Sequence, residues 1–142
     1  MNSRIVKLLL PVAFAATGVG TLAIASPAQA AMPTCNTTLQ YPKPDNTYAS
    51  YPIHSTSGFS CLLGNGNAGS AVRALQKGLK KCYSSGLVVD GIFGNRTETV
   101  LKSAQRSAGV TADGVYGPQT ANAIKFPWLN QDTEAYVRCA RL

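Results

Sequence analysis

The sequence predicts an all-α fold: a compact three-helix domain built from a duplicated turn–helix unit, with an extended N-terminal strap, two disulfides and little or no sheet. The duplication is visible in residues 89–97, which return as residues 112–120 with Asp, Gly, Gly and Thr each displaced by 23 positions. Self-similarity at a fixed offset usually marks a repeated supersecondary unit. Apolar residues at helical spacing flank the first copy and indicate the helices.

The first thirty residues predict a secretory signal peptide. Arg4 and Lys7 form a positively charged start, residues 8–24 are mostly apolar, and residues 28–30 (Ala-Gln-Ala) have the small side chains of a cleavage site. An uncleaved membrane anchor is the alternative, but proline and glycine residues interrupt the apolar run. We therefore expect a secreted chain whose mature part begins near Ala31.

The mature part would hold about 112 residues, which suits one small domain with a modest core. Loss of Arg4 and Lys7 with the leader lowers the formal charge from +7 to +5. We expect residues 31–60 to form a Pro/Thr/Ser-rich strap, residues 61–129 the helical domain and residues 130–142 a tail tied by a disulfide. The aromatic side chains of the strap are expected to pack on the domain rather than bind a ligand; they are Tyr41, Tyr48, Tyr51 and Phe59.

The first predicted helix follows a glycine-rich turn over residues 62–71. Its apolar residues recur at the i, i+3, i+7 and i+10 spacing of one buried face; they are Val72, Leu75, Leu79 and Cys82. Basic residues fall on the opposite side; they are Arg73, Lys77, Lys80 and Lys81. A solvated face is the simple interpretation of the basic residues, and attraction to an anionic polymer, lipid or nucleic acid is the functional one.

The repeated turns connect the helices. An Asp-Gly turn needs a positive φ at Gly91 and Gly114, and the preceding Asp carboxylate accepts hydrogen bonds from amides two or three residues on. Gly94 or Asn95 is expected to cap the second helix, and Gly117 with a proline after it is typical of a cap and first helical residue.

The second helix is predicted from Thr97 to Gly109, where the glycine ends it. A third helix is expected over residues 118–125. In the tail, Asp132 is expected to cap a last helical turn that contains Tyr136 and Val137.

Four cysteines lie in the mature part, and an even number in an exported chain predicts two disulfides. A zinc site is the alternative, but no cysteine pair has close ligand spacing and the chain has one histidine. Three pairings are open, and we expect the nested one, in which Cys61 bonds Cys82 and Cys35 bonds Cys139.

Several of these motifs together resemble the peptidoglycan-binding domain family over about residues 69–126. The resemblance is carried by residues 69–76 (Gly-Ser-Ala-Val-Arg-Ala-Leu-Gln), by the turn of residues 89–94 with Thr97, by Gln105, and by residues 113–120. The chain departs from the family pattern at Ala104 and Ala121, where larger side chains are common. The resemblance implies a three-helix module from the context of cell-wall hydrolases that binds wall glycan or its stem peptide and catalyses no reaction.

We expect a ligand-binding surface around the two turns. Aromatic rings suit the apolar faces of sugars, and a guanidinium can hold a carboxylate in a bidentate pair. The candidate residues are Asp90, Phe93, Arg96, Gln105 and Tyr116. All but Arg96 have a structural alternative: the Asp residues form turns, the aromatic rings fill the core beneath them, and Gln105, like Gln76, packs at a buried helix face.

Catalysis is not expected, and neither a metal nor a cofactor is implied. The chain has no His-Glu-x-x-His or Gly-x-Ser-x-Gly motif, and its two glutamates, Glu98 and Glu134, are not placed across a cleft by any pattern. Glu98 suits the helix dipole of the second helix.

We therefore expect a secreted, monomeric wall-binding module. Its partners would be peptidoglycan or the stem peptide, with anionic wall polymers as a further candidate, and without nucleic acid or a membrane after signal cleavage. A disulfide-stabilised secreted inhibitor or effector that binds a protein is one alternative, and a small cell-wall hydrolase with an unrecognised site is another.

Overall fold

The computed structural model describes residues 31–142, so the predicted signal peptide lies outside the described residues. Seven elements follow one another in the chain: β1 (Thr37–Lys43), β2 (Thr47–Ile53), α1 (Ser70–Cys82), α2 (Asn95–Ala108), α3 (Pro118–Ala123), β3 (Phe126–Asn130) and β4 (Tyr136–Ala140). None of the helices in this part of the chain is both long and apolar enough to cross a bilayer.

The prediction of an all-α fold is wrong, because four strands form one antiparallel sheet in the order β1-β2-β3-β4. The expected extended strap is a β-hairpin whose strands pair from Thr37 opposite Ile53 to Lys43 opposite Thr47. Its turn is held by Asn46, which has a left-handed φ of 59°. Asn tolerates this conformation better than most residues, and the turn therefore closes without glycine.

The C-terminal tail also forms a hairpin instead of the helical turn expected after Asp132. The side-chain oxygen of Asn130 accepts hydrogen bonds from the amides of Asp132 and Thr133, both at 3.0 Å. This bends the chain after β3 so that Tyr136 and its neighbours pair back as β4. The third helix ends at Ala123, and Ile124 already has the extended conformation that leads into β3, with φ of −82° and ψ of 157°.

The helices and their caps agree with the sequence analysis. Gly94 and Gly117 are the N-caps of α2 and α3, and Pro118 is the first residue of α3. Gly109 ends α2 with a left-handed φ of 75°. At the turns, Gly91 and Gly114 have φ of 81° and 78°, as the Asp-Gly sequence predicts.

One hydrophobic cluster joins the sheet to the helices. Its largest fully buried side chains come from both parts of the fold and include Trp128, Tyr51, Tyr116, Phe93 and Phe126. The rings of Tyr51 and Phe126 lie 4.4 Å apart between centroids. The core therefore depends on the strands as much as on the helices.

The nested disulfide pairing is also wrong: Cys35 bonds Cys61, and Cys82 bonds Cys139. The two hairpins explain the correct pairing. The amide of Cys35 donates to the carbonyl of Leu62 at 3.0 Å, which sets the first pair side by side. The second hairpin returns Cys139, in β4, to the end of α1 at Cys82.

Both ends of α1 are thus attached to the outer strands of the sheet. At its start, the Ser70 hydroxyl donates to the carbonyl of Asn36, next to β1, at 3.3 Å. At its end, Cys82 is bonded to β4. A helix of 13 residues is about 20 Å long, enough to cross four strands spaced about 4.8 Å apart.

Candidate functional site

The first Asp-Gly turn is organised by a glutamine from α1. The Nε2 group of Gln76 donates to Asp90 Oδ1 at 2.8 Å, to the Ile92 carbonyl at 2.9 Å and to Thr97 Oγ1 at 3.1 Å. The Gly91 amide donates to Gln76 Oε1 at 2.8 Å. The Ile92 amide donates to Asp90 Oδ1 at 2.9 Å, and together with Gln76 it holds the pKa of Asp90 below its ordinary value.

The second turn repeats this arrangement with a glutamine from α2. Gln105 Nε2 donates to Asp113 Oδ1 at 2.8 Å, to the Val115 carbonyl at 2.9 Å and to Thr120 Oγ1 at 3.0 Å. The Gly114 amide donates to Gln105 Oε1 at 2.9 Å. The duplication seen in the sequence is therefore a duplication of one hydrogen-bond network.

The two glutamines are parts of the fold rather than exposed ligand contacts. Gln76 is 1% exposed and Gln105 is fully buried, and their amides use both donor and acceptor within the protein. Burial of an amide in an apolar environment is costly unless its hydrogen bonds are made. Gln105 serves the stability of the second turn.

The other predicted ligand residues do not form one surface. Phe93 and Tyr116 are fully buried, so neither ring is accessible to a ligand in this structure. Burial also raises the pKa of Tyr116. Asp90 is exposed at the edge of its network, and Arg96 is exposed at the start of α2, where its Nη2 group donates to the Gly86 carbonyl at 3.1 Å.

A groove of about 740 Å³ lies between α1 and one face of the sheet. The pairings of Gln40 with Ser50 and of Tyr48 with Leu129 place these four side chains on the same face. Together they line one wall and the floor of the groove. This is the size of pocket that binds small ligands or a few residues of a polymer.

The opposite wall of the groove is α1, which contributes Arg73 and Lys77. Both side chains are exposed, and neither forms a salt bridge with a carboxylate of residues 31–142. Glu134, in the turn between β3 and β4, also lines the groove. The groove therefore presents two cations and one carboxylate.

The basic side of α1 continues past the groove. A second, shallower depression shares Lys77 with the first and adds Lys80, Lys81 and Tyr136. The Lys81 ammonium lies 4.3 Å from the centre of the Tyr136 ring, which is cation–π distance. The basic face expected from the sequence is thus a continuous strip beside the sheet.

No group of three or more His, Cys, Asp or Glu residues within residues 31–142 is arranged to hold a metal ion. His54 lies in a β-bridge next to the first hairpin, and its Nδ1 atom is 3.1 Å from the Thr56 hydroxyl. Glu98 forms a salt bridge with Lys102 at 2.6 Å, which lowers the pKa of Glu98.

Sequence reasoning found one wall of the groove and missed the other. The basic residues of α1 were identified from their helical spacing, including Arg73 and Lys77. Tyr48 was expected only to pack on the domain, and Gln40 and Ser50 carried no signal because the hairpin was not predicted. The signal for them was weak, an alternation of polar, small and aromatic residues over Thr47, Ala49 and Tyr51.

A comparison with protein-family models supports the resemblance. Residues 68–124 match a family described as a putative peptidoglycan binding domain. The solved structure of a peptidoglycan-binding protein from Clostridioides difficile, in complex with glutamine hydroxamate, is similar at 27% identity, over 58% of this chain and 53% of that chain, with a TM-score of 0.41. The chain thus spans about half the length of that protein. No curated protein matches the chain.

Proposed function

We propose, from the premise that residues 68–124 match the peptidoglycan-binding domain family, that this chain is a secreted, non-catalytic module that binds the bacterial cell wall. The family match is the observation that carries the proposal. It includes α1, α2, α3 and both glutamine networks, so the part of the chain that resembles the family is also the part with the repeated architecture.

Two disulfides support the proposed location outside the cytoplasm. Disulfides persist in oxidising compartments and are rare in most cytosolic proteins. Cys35–Cys61 joins the segment before β1 to the loop that follows β2, and Cys82–Cys139 joins the end of α1 to β4. A chain that depends on such bridges suits export, in agreement with the leader-like first thirty residues.

Wall binding without catalysis is supported by the chemistry of the described residues. Asp90 holds a turn and Glu98 pairs with Lys102, so both carboxylates have partners within the fold. Glycoside hydrolysis needs two carboxyl groups on opposite sides of the scissile bond. The exposed groups near the turns are suited to binding a ligand instead.

We further propose that Arg96 contacts the wall polymer, while Phe93 and Tyr116 support the turns from below and Asp90 and Gln105 fix their shape. Arg96 is the exposed cation at the start of α2. Its guanidinium can hold a carboxylate in a bidentate pair. Arg106, which is exposed in the last turn of the same helix, provides a matched control.

The test is co-sedimentation of the oxidised mature chain, residues 31–142, with purified peptidoglycan sacculi. We expect the wild type and Arg106→Ala to sediment with sacculi, and Arg96→Ala to bind about three- to tenfold more weakly, as loss of one charge-assisted hydrogen bond implies. Failure of the wild type to sediment would contradict wall binding. Release of soluble muropeptides would show catalysis instead, and capture of one defined protein without sacculus binding would indicate an inhibitor.

A further inference from the structure

The groove between α1 and the sheet has walls of different origin. Arg73 and Lys77 come from the segment that matches the family, whereas Gln40, Tyr48 and Glu134 come from hairpins outside residues 68–124. The groove is therefore formed where the sheet of this chain covers the matched segment. The charged and polar groups of the groove therefore come from both the matched segment and the hairpins outside it.

The charged groups of the groove lie on different elements, and Arg73 is also near the Asp90 carboxylate, whose pKa it helps to lower. Arg73 and Lys77 are one helical turn apart, so their Cβ atoms are about 6 Å from each other on the α1 wall. The Arg73 guanidinium makes one long contact, from Nη2 to the Asp90 carbonyl at 3.3 Å. Neither cation, nor Glu134, forms a salt bridge within the described part of the chain.

Glu134 occupies a backbone position that does not favour glutamate. Its φ of 55° is left-handed, and its amide donates to the Asn130 carbonyl at 2.9 Å to close the β3–β4 turn. The first hairpin has an equivalent left-handed residue, and there it is Asn46, which tolerates the conformation. The turn alone would be served better by glycine or asparagine, so glutamate at this position has a conformational cost.

We propose that this groove binds a short peptide that carries both a carboxylate and a primary ammonium group. The carboxylate pairs with Arg73 and Lys77, and the ammonium pairs with Glu134. The Tyr48 ring and the apolar floor at Leu129 pack against the aliphatic part of the ligand. Hydroxyl and amide groups on the sheet wall, such as Ser50 and Gln40, are available for its peptide bonds.

This inference rests on the proposed function in one respect, because it identifies the peptide as the stem peptide of peptidoglycan. A stem peptide that contains a diamino acid carries carboxylates and an amine, whereas an N-acetylated glycan strand with substituted lactyl groups carries neither. The charge pattern of the groove therefore selects the peptide over the glycan. Arg96, at the start of α2, does not line the groove, and its proposed contact with the wall polymer is separate from this one.

The test uses two-dimensional NMR titration of the oxidised mature chain with a soluble stem tripeptide, L-Ala-γ-D-Glu-meso-diaminopimelate. We expect the largest chemical-shift changes at groove residues of α1 and the sheet. Arg73→Ala is expected to weaken binding about tenfold, and Arg106→Ala, an exposed residue of α2 that does not line the groove, to leave binding unchanged. Glu134→Gln is expected to weaken binding to the free tripeptide, but not to the same peptide acetylated on its side-chain amine.

Glu134→Gly separates binding from folding. Glycine relieves the left-handed position, so we expect this variant to unfold at a higher temperature than the wild type while binding the free tripeptide several-fold more weakly. A structural role for Glu134 would instead lower the unfolding temperature. Equal affinity of Glu134→Gln, Arg73→Ala and the wild type for the tripeptide would overturn the inference, as would binding of N-acetylglucosamine tetramer in the groove.

The two proposals fail in different ways. Sacculus binding that is unchanged in Arg73→Ala and Glu134→Gln overturns the groove inference and leaves the proposed function standing. Tripeptide binding that depends on both residues, in a chain that does not sediment with sacculi, supports the groove and overturns wall binding. Absence of both kinds of binding in the wild type overturns both.

Discussion

At the scale of single residues, the two glutamines explain why the turns repeat. Gln76 and Gln105 make equivalent bonds, although the glutamines are 29 positions apart and the turns only 23. The fixed offset of the turns was visible in the sequence, and so were the positive φ of Gly91 and the bonds of Asp90. The glutamine contacts could not be read from the sequence, because the number of residues between each glutamine and its turn depends on helix length and loop length.

The networks predict a large loss of stability when a glutamine is removed. Gln105→Ala leaves the Gly114 amide, the Val115 carbonyl and Asp113 without their buried partner, so we expect a cost of about 2 to 4 kcal/mol. Gln76→Ala should cost a similar amount. Urea unfolding measures both, with the exposed Gln119→Ala as control, expected within about 0.5 kcal/mol of the wild type. A cost below about 1 kcal/mol for either glutamine would contradict a structural role.

A second residue-scale prediction concerns Tyr51, whose hydroxyl is buried without a hydrogen-bond partner in the described structure. Burial, the main cause, raises the pKa of Tyr51. Tyr51→Phe removes an unpaired polar group, so we expect a gain of about 1 kcal/mol, or about 4 °C in Tm. Tyr116→Phe, which loses a bond to the Pro52 carbonyl at 3.4 Å, should give no gain. Calorimetry of both variants checks this, and a lower Tm for Tyr51→Phe would contradict it.

A third prediction follows from the lowered pKa of Asp90, which lies below the ordinary 3.8 because of the Ile92 amide and Gln76. The unfolded state then binds the proton more readily than the folded state. The stabilising contribution of Asp90 is complete above about pH 5 and is lost as the pH falls through the lowered pKa of the folded state. Asp90→Asn should therefore lose less stability than the wild type between pH 7 and pH 3. Unfolding curves at the two pH values measure the difference, and equal losses would contradict it.

At the scale of elements, the helices were predictable and the strands were not. The helices show apolar spacing with caps at Gly94 and Gly109, which are local signals. Strand β2 buries Thr47, Ala49 and Tyr51, a weak alternation of polar, small and aromatic residues. Strand β4 is mostly exposed, so its pairing is set by the Asn130 turn and by tertiary contacts. Strand propensity depends strongly on such context.

The contact between α1 and β3 gives an element-scale prediction at Gly78. Alanine normally stabilises a helix interior by about 1 kcal/mol relative to glycine. A Cβ atom at Gly78 would, however, lie 2.7 Å from Cδ1 of the fully buried Phe126 ring. Overpacking of this kind costs about 1 to 3 kcal/mol, so Gly78→Ala should be destabilising on balance.

A double-mutant cycle checks this assignment. Phe126→Leu removes the ring that meets the new methyl group. It should therefore lower the free energy of unfolding by at least about 1 kcal/mol less in the Gly78→Ala background than in the wild type. Additive effects of the two substitutions in chemical denaturation would show that the contact does not limit helix packing.

At the scale of the whole molecule, the sequence indicated the number of disulfides and the matched segment, but neither the sheet nor the cysteine pairing. The pairing could not be derived because it follows from the two hairpins. Each hairpin returns the chain over a distance that only the folded strands define. In the chain-entropy model, the bridges stabilise the fold by about 3.5 and about 4 kcal/mol, for sequence separations of 26 and 57.

The order of these two bridges has a mechanical consequence. When the chain is pulled between residues 31 and 142, tension bypasses everything enclosed by Cys35–Cys61 and by Cys82–Cys139. The load then falls on residues 62–81, which include most of α1 and can extend by about 70 Å at most. Force spectroscopy should show this short extension in the oxidised chain and one several times longer after reduction. Because Arg73, Lys77 and Gln76 lie in the loaded stretch, stretching would dismantle the groove wall and the first turn, while the second turn stays shielded inside its covalent ring.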